Sequence, residues 1–240
     1  MKKLSIRRLV PNLITLISLT FGLSAIKFAI DQKWEVAVTL IVFSSFLDNL
    51  DGKLARLLKT NSNFGVELDS LADFISFGVA PAIVIYLWSK TFFFDTNWAI
   101  VIFYAICSSS RLAKFNVLSY ENQSKDDLRF FLGISTPAAA GLSLLPMMFN
   151  FRFELDVFSY ENFIKYYLFL PSILMISNLP TYSLKGIKIE KKLIPFLIIL
   201  FASFIYLLLT DLWLAMIILI IIYFLSIPFA IYESKVSLKT

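Results

Sequence analysis

Apolar residues run along this chain in blocks of about 20, the length that carries a helix across a bilayer, and short polar stretches separate the blocks. The pattern predicts eight helices, near residues 11–30, 34–57, 65–89, 96–118, 131–149, 160–180, 193–209 and 212–232. The basic connection "YSLKGIKIEKK" and Pro195 mark the boundary between the first six and the last two. Those last two, with "FLIIL" and "MIILIIIYFL", read as plain lipid-facing spans without intramembrane charge. No internal repeat, low-complexity tract or linker interrupts the series.

One polar stretch breaks the rule. "DNLDGKLARLLKTNSNFGVELDSLAD", residues 48–73, places four carboxylates at the adjoining ends of the second and third predicted helices. Asp48 and Asp51 are three apart and share a helix face, as do Asp69 and Asp73, four apart on the next helix. The short connection "LLKTNSNF" makes the two helices antiparallel neighbours, so both acidic faces meet at one depth.

Composition changes the picture from helical to membrane-embedded. Of 240 residues 58% are hydrophobic and 16% charged, against about a quarter charged in a soluble domain; the mean hydropathy is +0.78. The chain reads as an all-α polytopic membrane protein, with no soluble domain of useful size between the spans. The start, "MKKLSIRRLVPNLITLISLTFGLSAIKFAI", has the order of a secretory signal but no convincing small-residue cleavage site, and is read as a retained first helix.

A single cysteine, Cys107, excludes an internal disulfide and a thiol-rich metal site. The absence of histidine removes His-based triads, HExxH zinc sites and imidazole acid–base chemistry. Chemistry is left to carboxylates, Lys, Arg, Ser, Thr, Tyr or a bound hard cation.

Charge sets the expected topology. The amino terminus and the connections after the second, fourth, sixth and eighth helices hold most of the 22 Lys and Arg, and the opposite side keeps only Lys27, Lys33, Lys90, Arg152 and Lys165. Positive charge stays in the cytoplasm during insertion, so both termini and the acidic stretch are expected to face the cytosol. The net charge of +5 is a topology signal and a contact for anionic lipid; it gives no reason to invoke nucleic acid.

Four unpaired carboxylates so close would repel, and one or two divalent cations remove the problem. Oxygen ligands without His or Cys select a hard ion, Mg²⁺ first and Mn²⁺ second. Gly52, Ala55 and Gly65 clear space beside the carboxylates, and Arg56 supplies a cation suited to phosphate. Metal ions, an arginine and cleared space describe a pyrophosphate site at the membrane surface.

The same residues carry a resemblance. The stretch reads D-x2-D-G-x2-A-R-x8-G-x3-D-x3-D, through Asp48, Asp51, Gly52, Ala55, Arg56, Gly65, Asp69 and Asp73. It resembles, without a mismatch, the signature of the CDP-alcohol phosphatidyltransferases. The resemblance covers roughly residues 8–180 and implies a core of six membrane helices, a homodimer, and displacement of CMP from a CDP-linked lipid by an alcohol. The expected organisation is therefore a core at 1–182, then a basic loop, two additional transmembrane helices and a short cytosolic tail at 183–240. "GVELDSLADFISFGVAPA" at 65–82, "RLAKFNV" at 111–117, "STPAAAG" at 135–141 and "PNLIT" at 11–15 look like the bacterial membrane-type phosphatidylserine synthase branch. That branch implies CDP-diacylglycerol and L-serine as substrates and the bacterial cytoplasmic membrane as location.

By resemblance, Asp48, Asp51 and Asp69 hold the metal ions, with Asp73 as a further ligand and the general base. Gly52, Arg56 and Ser62 match positions that contact the nucleotide diphosphate, although Ser62 also reads as an ordinary loop serine. Asn12 and Thr15 are candidates to approach that pocket from the first helix; for Asn12 the alternative is a plain helix cap after Pro11. Arg111, late in the fourth helix, is a candidate for the serine carboxylate, with snorkelling to the interface as the alternative. Ser76 and Phe77, one turn beyond Asp73, are candidates to line the serine pocket, and Glu67 is read as structural.

Two rivals stand beside this reading. A sister transferase using glycerol 3-phosphate or inositol phosphate calls for a second cationic cluster near Asp73, for which Arg111 and Lys114 are thin. An ion or proton transporter calls for carboxylates near the bilayer midplane and broken helices, whereas these gather at one interface.

Overall fold

The computed structural model describes residues 6–58, 60, 62–92, 98–121, 130–154, 166–182 and 191–237. Helices dominate: α1 (Ile6–Ile30), α2 (Trp34–Leu57), α3 (Asn63–Asp73), a π-helical segment (Phe74–Val79), α4 (Ala80–Phe92), α5 (Trp98–Glu121), α6 (Thr136–Phe153), α7 (Phe169–Ile176), α8 (Ile194–Thr210) and α9 (Leu212–Ser237). The all-α expectation holds, and α2 has the predicted bounds. Among the described residues, four helices are long and apolar enough to cross a membrane: Leu9–Ile30, Asn63–Ser89, Trp98–Val117 and Leu212–Ser234. The basic residues at 1–5, the start of the sixth predicted helix at 160–165 and most of the basic connection, 183–190, lie outside the described residues.

Two features depart from the pattern. The predicted third helix is continuous from Asn63 but widens into the π-helical segment immediately after Asp73. Pro81 follows, and it has no N–H to offer the Phe77 carbonyl four residues earlier. The buried Tyr104 hydroxyl of α5 donates to that carbonyl at 3.1 Å instead. The second departure is a short antiparallel pair, β1 (Phe130–Leu132) with β2 (Pro180–Tyr182), at the predicted start of the fifth helix. Gly133 ends β1 at φ +72, with the carbonyls of Met175, Ser177 and Leu174 packed where a Cβ would stand. Ser135 then caps α6 by accepting the Ala138 N–H, so the helix starts at Thr136 instead of 131.

Small residues let the spans approach. α1 and α2 are joined by Ser18 and Ser44, whose hydroxyls lie 2.7 Å apart and each donate to the other's carbonyl at 3.0 Å. A Cβ at Gly22 would lie 2.7 Å from Ser76 Cα, so α1 and the π-helical segment touch backbone to backbone. The core behind them is apolar, with Trp88, Tyr104, Phe77, Leu144 and Met147 fully enclosed.

The last two helices differ from each other. α8 buries no side chain, as a lipid-facing span should. α9 does not fit that expectation: Ala215, Ile217, Ile220, Ile227 and Ala230 are buried, and it packs along α6 and against β2. The Tyr182 hydroxyl donates to Glu233 at 2.7 Å, and Arg152 pairs with Asp211 between α8 and α9, so the C-terminal pair is tied to the six-helix core at both ends.

Candidate active site

The two acidic helix faces meet against α1. One oxygen from each of Asp48, Asp51 and Asp69 lies within 4.8 Å of the others. Asp48 is also within hydrogen-bonding reach of both Asp69 and Asp73. Like-charged carboxylates approach so closely only around a shared proton or a shared cation. Oxygens on opposite sides of a divalent ion, each bonded at 2.0–2.6 Å, stand about 4–5 Å apart, so the cluster fits a hard cation.

Asp51 is the most enclosed, 4% exposed, and its Oδ2 receives the Thr15 hydroxyl at 2.6 Å. Thr15 therefore acts on the cluster by orienting Asp51. Asn12 is inside α1, six residues from its start, which removes the helix-cap alternative. Its Oδ1 stands 3.2 Å from where a Gly65 Cβ would be, so α1 crosses α3 at this glycine. Ser62 has a structural duty as the cap of α3, accepting the Gly65 N–H at 3.1 Å. Gly52 differs: no atom lies within 4 Å of its would-be Cβ. Protein packing does not demand this glycine, and the open space beside Asp51 is where a ligand can lie. Arg56 is exposed one turn further along α2.

On the other side of the cluster, Asp73 Oδ2 accepts from Thr136 Oγ1, at the first turn of α6, at 3.4 Å. Arg111 of α5 interacts electrostatically with Asp73. Its Nε is closed off from solvent and has no hydrogen-bond partner. A guanidinium snorkelling to the interface would keep its nitrogens in water, so this one is turned inward. Lys114, one turn on, is exposed and donates to Asn178 at 2.6 Å.

The two remaining acceptor-site candidates lie deeper in the protein. Ser76 is fully buried, donates to the Ser18 carbonyl at 3.3 Å and packs on Gly22. Phe77 is enclosed in the core. Both are enclosed by protein in this structure. Two residues went unmarked in the sequence. Thr136 lies in "STPAAAG", which carried a resemblance but no assigned role. Tyr223 of α9, which also interacts electrostatically with Arg111, sits in an apolar run with no signal to single it out.

These features define an all-helical integral membrane protein with a carboxylate cluster, able to hold a divalent cation, at the end of two antiparallel helices. The profile of the CDP-alcohol phosphatidyltransferases matches residues 8–180, and the chain belongs to that family. It is 33% identical over 233 residues to the CDP-diacylglycerol–serine O-phosphatidyltransferase of Mycobacterium bovis, covering 95% of this chain and 80% of the relative. The Helicobacter pylori (strain 26695) protein of the same name is 35% identical over 198 residues, 82% of this chain and 81% of the relative. The Bacillus subtilis (strain 168) protein of that name is 37% identical over 146 residues, 60% of this chain and 77% of the relative.

Proposed function

We propose that this chain transfers the phosphatidyl group of CDP-diacylglycerol to the hydroxyl of L-serine, giving phosphatidylserine and CMP. The observation that carries the reading is the meeting of Asp48, Asp51, Asp69 and Asp73 at one point, with an inward-turned Arg111 beside Asp73. The relatives' names supply the substrate pair.

One or two Mg²⁺ or Mn²⁺ ions, held by Asp48, Asp51 and Asp69 with Asp73 as a further ligand, would neutralise charge on the diphosphate. Gly52 leaves room for the nucleotide diphosphate, with Arg56 to pair with phosphate and Asn12 and Ser62 at the α1–α3 edge of the same space. Asp73 takes the proton of the serine hydroxyl, a poor nucleophile until a base does so. The serine oxygen then bonds to the phosphorus that carries diacylglycerol, the bond from that phosphorus to CMP breaks, and CMP leaves with the electron pair. Arg111 holds the serine carboxylate by a charge-assisted hydrogen bond.

Residues 1–182 form the transferase core, which works as a homodimer, as in the family, and 183–240 add the C-terminal pair. The site faces the cytosol. Two cations expected on the opposite side support this orientation, because each is neutralised: Lys27 by Asp31 and Arg152 by Asp211.

The test is CMP release from CDP-diacylglycerol in detergent micelles, with L-serine, glycerol 3-phosphate and inositol phosphate offered separately. Release with serine alone is expected. Release with a phosphorylated acceptor alone would move the chain to a sister branch. The engagement of Lys114 with Asn178, which leaves Arg111 as the cation beside Asp73 among the described residues, speaks against that outcome.

A further inference from the structure

The family match ends at residue 180, yet α9 reaches the acceptor side of the site. Tyr223 is half-buried on that helix and faces the Arg111 charge. Its hydroxyl lies within hydrogen-bonding reach of the Thr181 side chain on β2 and of the backbone and side chain of Ser135. Both partners are themselves held. Thr181 Oγ1 donates to the Gly133 carbonyl at 3.0 Å, and Ser135 caps α6. The next residue, Thr136, reaches Asp73. One short segment therefore touches the general base on one side and Tyr223 on the other. A tyrosine on a lipid-facing span would carry its hydroxyl to the wet interface; this one carries it into a polar nest inside the protein.

The pairing with Arg111 is informative. A neutral phenol does not satisfy a guanidinium, and Arg111 Nε has no acceptor. Thr181 Oγ1 spends its proton on the Gly133 carbonyl, so the phenol is the donor of that bond and can turn the same proton toward a bound anion. Two donors within electrostatic range of each other suit an anion with two oxygens, and a carboxylate accepts from several directions at once.

We propose that Tyr223 is a specificity-determining residue of the acceptor site, donating its phenolic proton to the carboxylate of an amino-acid acceptor that Arg111 also binds. The C-terminal helix thereby adds a group to the acceptor side of the six-helix core. This rests on the serine-transfer reading above. It predicts that the preference for an amino acid over a simple amino alcohol depends on a helix outside the catalytic signature.

The experiment is Tyr223→Phe in the full chain, purified in detergent, beside wild type. The KM for L-serine is expected to rise about tenfold, the scale of one hydrogen bond to a charged group, with the KM for CDP-diacylglycerol unchanged. Ethanolamine, which lacks the carboxylate, should be equally poor with both proteins. Combined with Arg111→Lys, the two effects should fall short of multiplying, because both groups hold one anion. Thr181→Val, which leaves the phenol but loosens its seat, should give a smaller rise for serine alone. It stands in if Tyr223→Phe does not fold. An unchanged serine KM, or equal rises for both substrates, overturns the proposal. Wild-type turnover with a phosphorylated acceptor and none with serine would overturn the serine reading and this inference together. Serine turnover with an indifferent Tyr223→Phe would overturn this inference alone.

Discussion

The Thr15 hydroxyl donates to Asp51 Oδ2 at 2.6 Å, joining the first helix to the carboxylate cluster through a buried bond. Asp51 comes from α2, so a residue outside the aspartate signature sets the direction of one of its carboxylates. The serine pair Ser18 and Ser44, further along the same interface, fixes the sliding register of α1 on α2 and hence the height at which Thr15 meets Asp51.

Thr15→Val keeps the shape of the side chain and removes the donor. A hydrogen bond to a charged group contributes about 1.5–3 kcal/mol, and its loss frees Asp51 to rotate. The Mg²⁺ concentration for half-maximal activity should rise about tenfold or more, while Thr15→Ser should stay near wild type. A Mg²⁺ titration identical to wild type would remove Thr15 from the site.

Gly52→Ala separates ligand space from protein space. Nothing in the protein crowds the position, and alanine in a helix interior is favoured over glycine by about 0.5–1 kcal/mol. The variant should melt no lower than wild type, yet its KM for CDP-diacylglycerol should rise at least about tenfold if the diphosphate lies against this face. Gly22→Ala is the contrast: its Cβ would strike Ser76 backbone, so it should lose stability. Gly52→Ala with full activity would place the nucleotide elsewhere.

Asp73→Asn should retain much of the affinity for CDP-diacylglycerol and lose at least about 10²-fold in turnover, the scale of a missing general base. Asp48→Asn and Asp69→Asn should instead weaken metal and nucleotide binding together. EDTA should abolish turnover in wild type, with recovery on adding Mg²⁺ or Mn²⁺ but not zinc. Near-normal turnover of Asp73→Asn would send the search for the base elsewhere, and activity in chelator would end the metal assignment.

Arg111→Ala should raise the KM for serine by roughly ten- to a hundredfold, as expected for a lost charge-assisted hydrogen bond, and leave that for CDP-diacylglycerol nearly unchanged. Arg111→Lys should recover part of the loss, because a point charge replaces a planar fork. Equal losses for both substrates would make Arg111 a fold or diphosphate residue.

Helix number and the acidic site were legible because both depend on local spacing. An apolar run of bilayer length has few alternatives to a helix, and α2 occupies the predicted range from Trp34 to Leu57. Asp48 with Asp51, and Asp69 with Asp73, share faces through helix periodicity alone, and the short connection brings those faces together. The limits of local reading appear at Ser76 and Phe77. Helix periodicity puts them one turn from Asp73, but it does not say that α1 packs on Ser76 at Gly22 and that the core encloses Phe77.

Sequence by itself determined the spans, the antiparallel pairing of the two acidic helices and the oxygen-only chemistry, since each follows from neighbours within a few residues. Tertiary structure decided what reaches those carboxylates from elsewhere. Thr15 meets Asp51 across 36 positions and Thr136 meets Asp73 across 63; β1 pairs with β2 some fifty residues away. Tyr223 is the clearest case. A helix apolar on every side has no periodicity to say which face turns inward. Only the packing of α9 on α6 and β2 brings that side chain within electrostatic range of Arg111.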